Sequence, residues 1–186
     1  MHDSPAPADS PAPTINRRVV VMGVSGSGKS SVGEAVGAAL GVPYIDGDEY
    51  HPPANIDKMS RGEPLNDEDR AGWLTVLTDL IRDNRDKGDA LLVGCSSLKR
   101  IYRDQLREGD PDLLFLFLDG SFEVILGRMQ QRKHFFSSEM LTSQFDTLEA
   151  PGEDEAIRVD IDQNFADVIG QSAAALSARF ERDKTR

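Results

Sequence analysis

One run of residues has the spacing of a phosphate cradle: Gly23-Val24-Ser25-Gly26-Ser27-Gly28-Lys29-Ser30, with Ser31 directly after it. It fills every fixed position of the pattern G-x-x-x-x-G-K-[ST]. Gly26 and Gly28, lacking side chains, let successive backbone N–H groups turn inward around a polyphosphate. Lys29 is spaced to reach the β- and γ-phosphates as a point charge, and the Ser30 hydroxyl to ligate Mg²⁺. A flexible Gly/Ser linker is the bland reading, but it would not stand between a strand pattern and a helix pattern. The run predicts a nucleoside triphosphate site.

A second group follows at Asp46-Gly47-Asp48. Acidic residues at the carboxyl end of a strand in an open α/β sheet lie where ligands bind. Two carboxylates so close can divide the work, Asp46 holding Mg²⁺ through water and Asp48 facing a substrate hydroxyl. A plain D-G turn is the competing reading. His51, Lys58, Arg61 and Arg70 come next, in the polar stretch from residue 49 to 74. Singly, each is a solvated surface group; together they read as a substrate lobe suited to a carboxylate and several hydroxyls. Lys99 and Arg103 stand one helical turn apart and extend the basic set. Arg128, Arg132, Lys133 and His134 form another basic stretch, one that suits a mobile lid over phosphates, about 128–145. Asp119, at the end of an apolar run, is a second candidate metal aspartate, placed below Asp46 because Gly120-Ser121 reads as a turn and helix cap.

These residues need elements to hold them. Arg18–Met22 is a continuous β-branched run, as in a buried parallel strand. Further strands are expected at Val42–Ile45, Asp89–Cys95, Leu113–Leu118 and Ala156–Ile161. Helices are expected from Ser30 to Leu40, through Trp73–Ile81 to Lys87, from Leu98 to Arg107, from Phe122 to Gln131 and from Phe165 to Phe180. Pro52 and Pro53 break any helix entering the polar stretch. Strand–helix alternation predicts an α/β fold with a parallel sheet and helices on both faces. The 186 residues suffice for one domain, from residue 17 to 186, behind a Pro/Ala-rich disordered tail over residues 1–16.

Composition limits the partners. The formal net charge of −11 argues against wide nucleic-acid contact. No apolar run is long enough to cross a bilayer. The single Cys95 cannot form an internal disulfide, which fits a reducing cytoplasm.

The stretches GVSGSGKSSVG, DGDEYHPPANIDKMSRGEPLNDEDRAGWL, CSSLKRIYRDQLR and SQFDTLEAP together resemble the small ATP-dependent gluconokinases of the P-loop kinase group. The resemblance runs from Arg18 to Ile161. It implies transfer of the ATP γ-phosphate to the 6-hydroxyl of D-gluconate, with Mg²⁺ as cofactor. It also implies a five-stranded sheet of order 2-3-1-4-5, a lid and a homodimer. Carried onto these motifs, the ATP site is Gly23 to Ser31 with Arg128 and Arg132. The metal site is Ser30 and Asp46, and Asp48 and Lys29 are catalytic. Gluconate falls to Asp48, His51, Lys58, Arg70, Lys99 and Arg103. Members usually carry His-Phe-Met-Pro where this chain has His134-Phe135-Phe136-Ser137, so Ser137 or Ser138 is left to cap the following helix. A shikimate kinase would share the loop and the paired aspartates but lack HPPANIDKM and CSSLKRIYRD. A nucleotide-operated switch would usually carry N-K-x-D, which the sequence lacks.

Overall fold

The computed structural model describes residues 16–132 and 137–185. The expected tail, apart from residue 16, lies outside the described residues, as do Lys133, His134, Phe135 and Phe136 of the expected lid. Five strands, β1 (Arg18–Met22), β2 (Tyr44–Asp46), β3 (Leu91–Gly94), β4 (Leu114–Asp119) and β5 (Ile157–Asp160), form one sheet of order β2-β3-β1-β4-β5. The order is the one the resemblance implies, and every pairing is parallel, as the strand–helix alternation predicts. All five strands therefore end on the same edge, and β1 lies centrally where the chain's winding reverses. That crevice is where ligands bind in open α/β sheets.

The sheet is buried on both faces, which explains why the central strands read as unbroken apolar runs. Val19, Val21, Leu92, Leu116 and Leu118 face a core closed by α1 (Lys29–Leu40) and α7 (Phe165–Lys184). Val20, Met22, Leu91, Val93, Phe115 and Phe117 face a second core closed by α3 (Asp67–Lys87) and α4 (Arg100–Arg107). The alternation along each strand follows the two-residue period of the pleat. Trp73, Leu74, Leu77 and Ile81 supply the α3 side, each buried, and each is worth roughly 1.5–3 kcal/mol of apolar transfer.

Two local expectations change. The second strand begins at Tyr44 and runs through Asp46, so the aspartate is the strand's own last residue. Pro52 and Pro53 do not exclude a helix: Pro52 is the N-cap and Pro53 the first residue of α2 (Pro53–Ser60). Proline is favoured at that first position because its missing N–H has no intrahelical partner to lose. The polar stretch is thus two helices, α3 opening on a reciprocal cap between Asn66 and Asp69. After α5 (Phe122–Gln131), helix α6 (Ser138–Thr147) starts at Ser137, whose side chain accepts from the Met140 N–H. Ser137 therefore does the capping. Among the described residues no helix is long and apolar enough to cross a membrane.

Candidate active site

The loop leaving β1 turns through Gly26 and Gly28, both at positive φ (80° and 94°), a region where a side chain would be strained. Gly28 also N-caps α1 and contributes no side-chain bond, so the first N–H groups of that helix keep no internal partner. This is a ready anion site. Lys29 Nζ donates to the carbonyls of Gly23 and Val24 at 3.0 Å each, which holds the ammonium over the loop. Burial pulls its pKa below the ordinary lysine value, against the field of Asp48 and Asp46. Ser27 Oγ is buried in the loop and finds no hydrogen-bond partner among the described residues.

Beside the loop, Ser30 Oγ donates to Asp46 Oδ2 at 2.9 Å. Asp46 Oδ1 in turn accepts from the Asp48 N–H at 3.0 Å, closing a short 3₁₀ turn over Gly47–Tyr50. Trp73 Nε1 donates to the Gly47 carbonyl at 2.7 Å and fixes that turn from α3. Ser30 and Asp46 are hard oxygen donors, and two such ligands suit Mg²⁺, which keeps most of its water. Asp119, the second candidate aspartate, is paired with Arg158 on β5.

A small cleft of about 60 Å³ beside the loop is lined by Ser25, Lys29, Asp48, His51, Arg70 and Gln144. His51 stacks on Trp73 with ring centroids 4.0 Å apart. Its Nδ1 accepts from the Asn55 amide at 3.2 Å, so the ring proton sits on Nε2, 3.8 Å from Asp48 Oδ1. Burial keeps this imidazole below its usual pKa, hence neutral. Arg70 is also buried, and among the described residues its guanidinium makes one hydrogen bond, from Nη1 to Tyr102 Oη at 3.2 Å. Most of its donors stay uncommitted.

The other basic residues expected here go elsewhere. Lys58 pairs with Asp69 at 2.6 Å, Lys99 with Asp67 at 2.8 Å, and Arg61 with Glu63 at 3.0 Å. Acidic side chains of the first turn of α3 thus take up Lys58 and Lys99. Arg103 is 1% exposed and spends its guanidinium on Glu155, at 2.6 and 3.1 Å, and on the carbonyls of Ser97 and Leu98. It braces α4 against the segment before β5, and none of its donors turns to the cleft.

A larger cleft of about 730 Å³ opens on the other side of the loop, lined by Gly26, Ser27, Gly28, Ser31, Arg128, Arg132, Ile161, Gln163 and Phe165. Arg128 Nη2 donates to the Ile161 carbonyl at 2.5 Å, tying α5 to the turn after β5. That turn was not among the expected site residues. Its one sequence signal is Phe165, a large apolar residue at the first position of an amphipathic helix, half exposed here.

Comparison with known proteins agrees with this arrangement. The family model for shikimate kinase matches residues 25–179. The thermosensitive gluconokinase of Escherichia coli (strain K12) is 49% identical over 162 residues, 86% of this chain and 87% of that protein. The thermoresistant gluconokinase of the same organism is 49% identical over 82% of this chain and 89% of its own length. The crystal structure of a gluconokinase from Sinorhizobium meliloti 1021 superposes with a TM-score of 0.85 at 46% identity, covering 91% of this chain and 97% of that one.

Proposed function

The chain belongs to the gluconokinase family, and from that premise we propose that it transfers the γ-phosphate of ATP to the 6-hydroxyl of D-gluconate, giving 6-phospho-D-gluconate and ADP. The observation that carries the reading is one cleft in which the loop lysine, Lys29, faces a carboxylate, Asp48, and a buried arginine with free donors, Arg70.

This geometry supports the following roles. The loop amides and Lys29 hold the triphosphate, with Arg128 and Arg132 on the nucleotide side. Ser30 and Asp46 hold Mg²⁺, which when bound neutralises phosphate charge. Phosphoryl transfer asks mainly for positioning and charge stabilisation. Asp48 aligns the sugar hydroxyl and takes its proton late, because an ordinary carboxylate is a weak base for an alcohol. The neutral His51 presents its Nε2–H toward Asp48 and limits where that carboxylate can turn. Arg70 receives the gluconate carboxylate. Lys58, Lys99 and Arg103 act behind this layer as braces.

The shikimate kinase match favours a second acceptor, shikimate, which is also a hydroxylated acid. ADP release measured over gluconate, other sugar acids, neutral sugars and shikimate decides between them. Gluconate should stand well above the rest; shikimate in first place would replace the reading. The cytoplasm is the proposed location. The homodimer expected from the resemblance also belongs to this proposal, and light scattering on the purified chain tests it.

A further inference from the structure

The stretch SQFDTLEAP is given no task by the reaction roles above, yet its two longest polar side chains each bind another element. Gln144, on α6, accepts from the Ser25 N–H through Oε1 at 2.6 Å and donates through Nε2 to Ser25 Oγ at 2.9 Å. The backbone donor fixes which amide atom points which way. Glu149, just past α6, accepts from the Arg100 N–H at 2.7 Å, at an α4 N-terminus whose own N-cap, Lys99, makes no side-chain capping bond to the helix. The Glu149 N–H also donates to the Leu98 carbonyl at 2.8 Å. One end of α6 is thus clamped to α4, and its middle is docked on the phosphate loop.

The face of α6 that these bonds hold is a cleft wall. Met140, Ser143, Gln144 and Thr147 all line the acceptor cleft, and they recur at the three- and four-residue spacing of one helical stripe. The same cleft is far smaller than the nucleotide cleft across the loop, about 60 against 730 Å³. With α6 docked, the acceptor side is drawn nearly shut while the donor side stays open.

We propose that Gln144 is a positioning residue that docks the acceptor wall onto the phosphate loop, so that α6 closes over gluconate and holds it against the donor. This rests on the reading of the cleft as the acceptor site. The carboxamide is suited to the task because it offers one acceptor and one donor to a residue that presents one of each. A leucine of similar size offers neither.

The test compares wild type, Gln144→Leu, Ser25→Ala and the double variant as full-length chains. Gln144→Leu should lower kcat for gluconate by about 10- to 100-fold, the range that two neutral hydrogen bonds and a small misplacement cover. Binding of a non-hydrolysable ATP analogue should stay within about twofold, since the nucleotide cleft does not include Gln144. Adding Ser25→Ala to Gln144→Leu should cost far less than Ser25→Ala costs alone, because the partner is already gone. Hydrogen exchange of the Ser25 amide, read without any substrate, should speed up in Gln144→Leu. That readout uses no acceptor, so it fails separately from the gluconate assignment. Unchanged or raised kcat, strictly multiplicative losses in the double variant, or an unaltered Ser25 amide would each overturn the proposal.

Discussion

Arg70→Met is the substitution that separates recognition of a charged acceptor from the chemistry on it. Arg70 is buried with its guanidinium over the Tyr102 ring, and among the described residues that guanidinium makes one hydrogen bond, to Tyr102 Oη at 3.2 Å. Methionine keeps the unbranched apolar stem, and Tyr102 keeps its bond to Asp67, so no buried polar atom is orphaned. The fold should hold, with a melting shift of only a few degrees. The lost term is the pairing with gluconate's carboxylate. A charged hydrogen bond contributes roughly 1.5–3 kcal/mol net, and a guanidinium can give two to one carboxylate. Allowing for water that replaces part of this, about 3 kcal/mol remains, or roughly 100-fold in kcat/KM for gluconate. A neutral polyol such as D-glucitol makes no such pairing, so its kcat/KM should change by no more than about threefold. The assay is coupled ADP release with both acceptors, each titrated in wild type and variant. The gluconate-to-glucitol ratio should collapse. If that ratio survives in a folded Arg70→Met protein, the carboxylate is held elsewhere and the orientation of gluconate given above is wrong.

Other expectations follow from the same geometry. Asp48→Asn should reduce kcat by about 10²–10⁴-fold, whereas Asp46→Asn should raise the Mg²⁺ needed for half-maximal rate; identical defects in a metal titration would contradict the division of labour. Arg103→Met leaves the partly buried Glu155 with Arg107 as its remaining partner, a loss of roughly 1–3 kcal/mol that should lower the melting temperature by about 5 °C. Burial alone would raise the Glu155 carboxyl, but the hydrogen bonds and charge of Arg103, then Arg107, hold it below the usual carboxylate range. Its stabilisation is therefore present above the unfolded value near pH 4 and is lost as pH falls through the lower folded value; Glu155→Gln should flatten that acid limb in thermal melts. Phe165→Ala should raise the ATP KM by roughly fivefold or more, the worth of one aromatic face against a base, with gluconate KM little changed.

The phosphate loop and the central strands could be read from local sequence because their causes are local. Gly26 and Gly28 can take left-handed backbone without steric cost, and Val19-Val20-Val21 is apolar on both sides because both sheet faces are covered. The basic residues were legible only as a set. Lys58, Lys99, Arg70 and Arg103 share charge and donors, and what separates them is the partner each meets across the fold. Asp69, Asp67 and Glu155 lie 11, 32 and 52 residues from the cations they neutralise, distances at which no spacing rule operates. Trp73 read as an apolar helix position, and its indole N–H bond to Gly47 depends on where α3 crosses the 3₁₀ turn. Gln144 had no signal beyond its place in a shared stretch.

The Arg103–Glu155 pair has a topological effect as well as a local one. It joins positions 52 residues apart, and the chain between them holds β4, α5, residues 133–136 and α6. A buried two-point clasp at the base of so long an excursion fixes both ends of a loop without a covalent bond. Closing a loop of that length carries an entropy that grows only slowly with its size, so most of the ordering is met once, at the clasp. Cutting the clasp would release that anchorage where the chain enters β5 and pairs with β4.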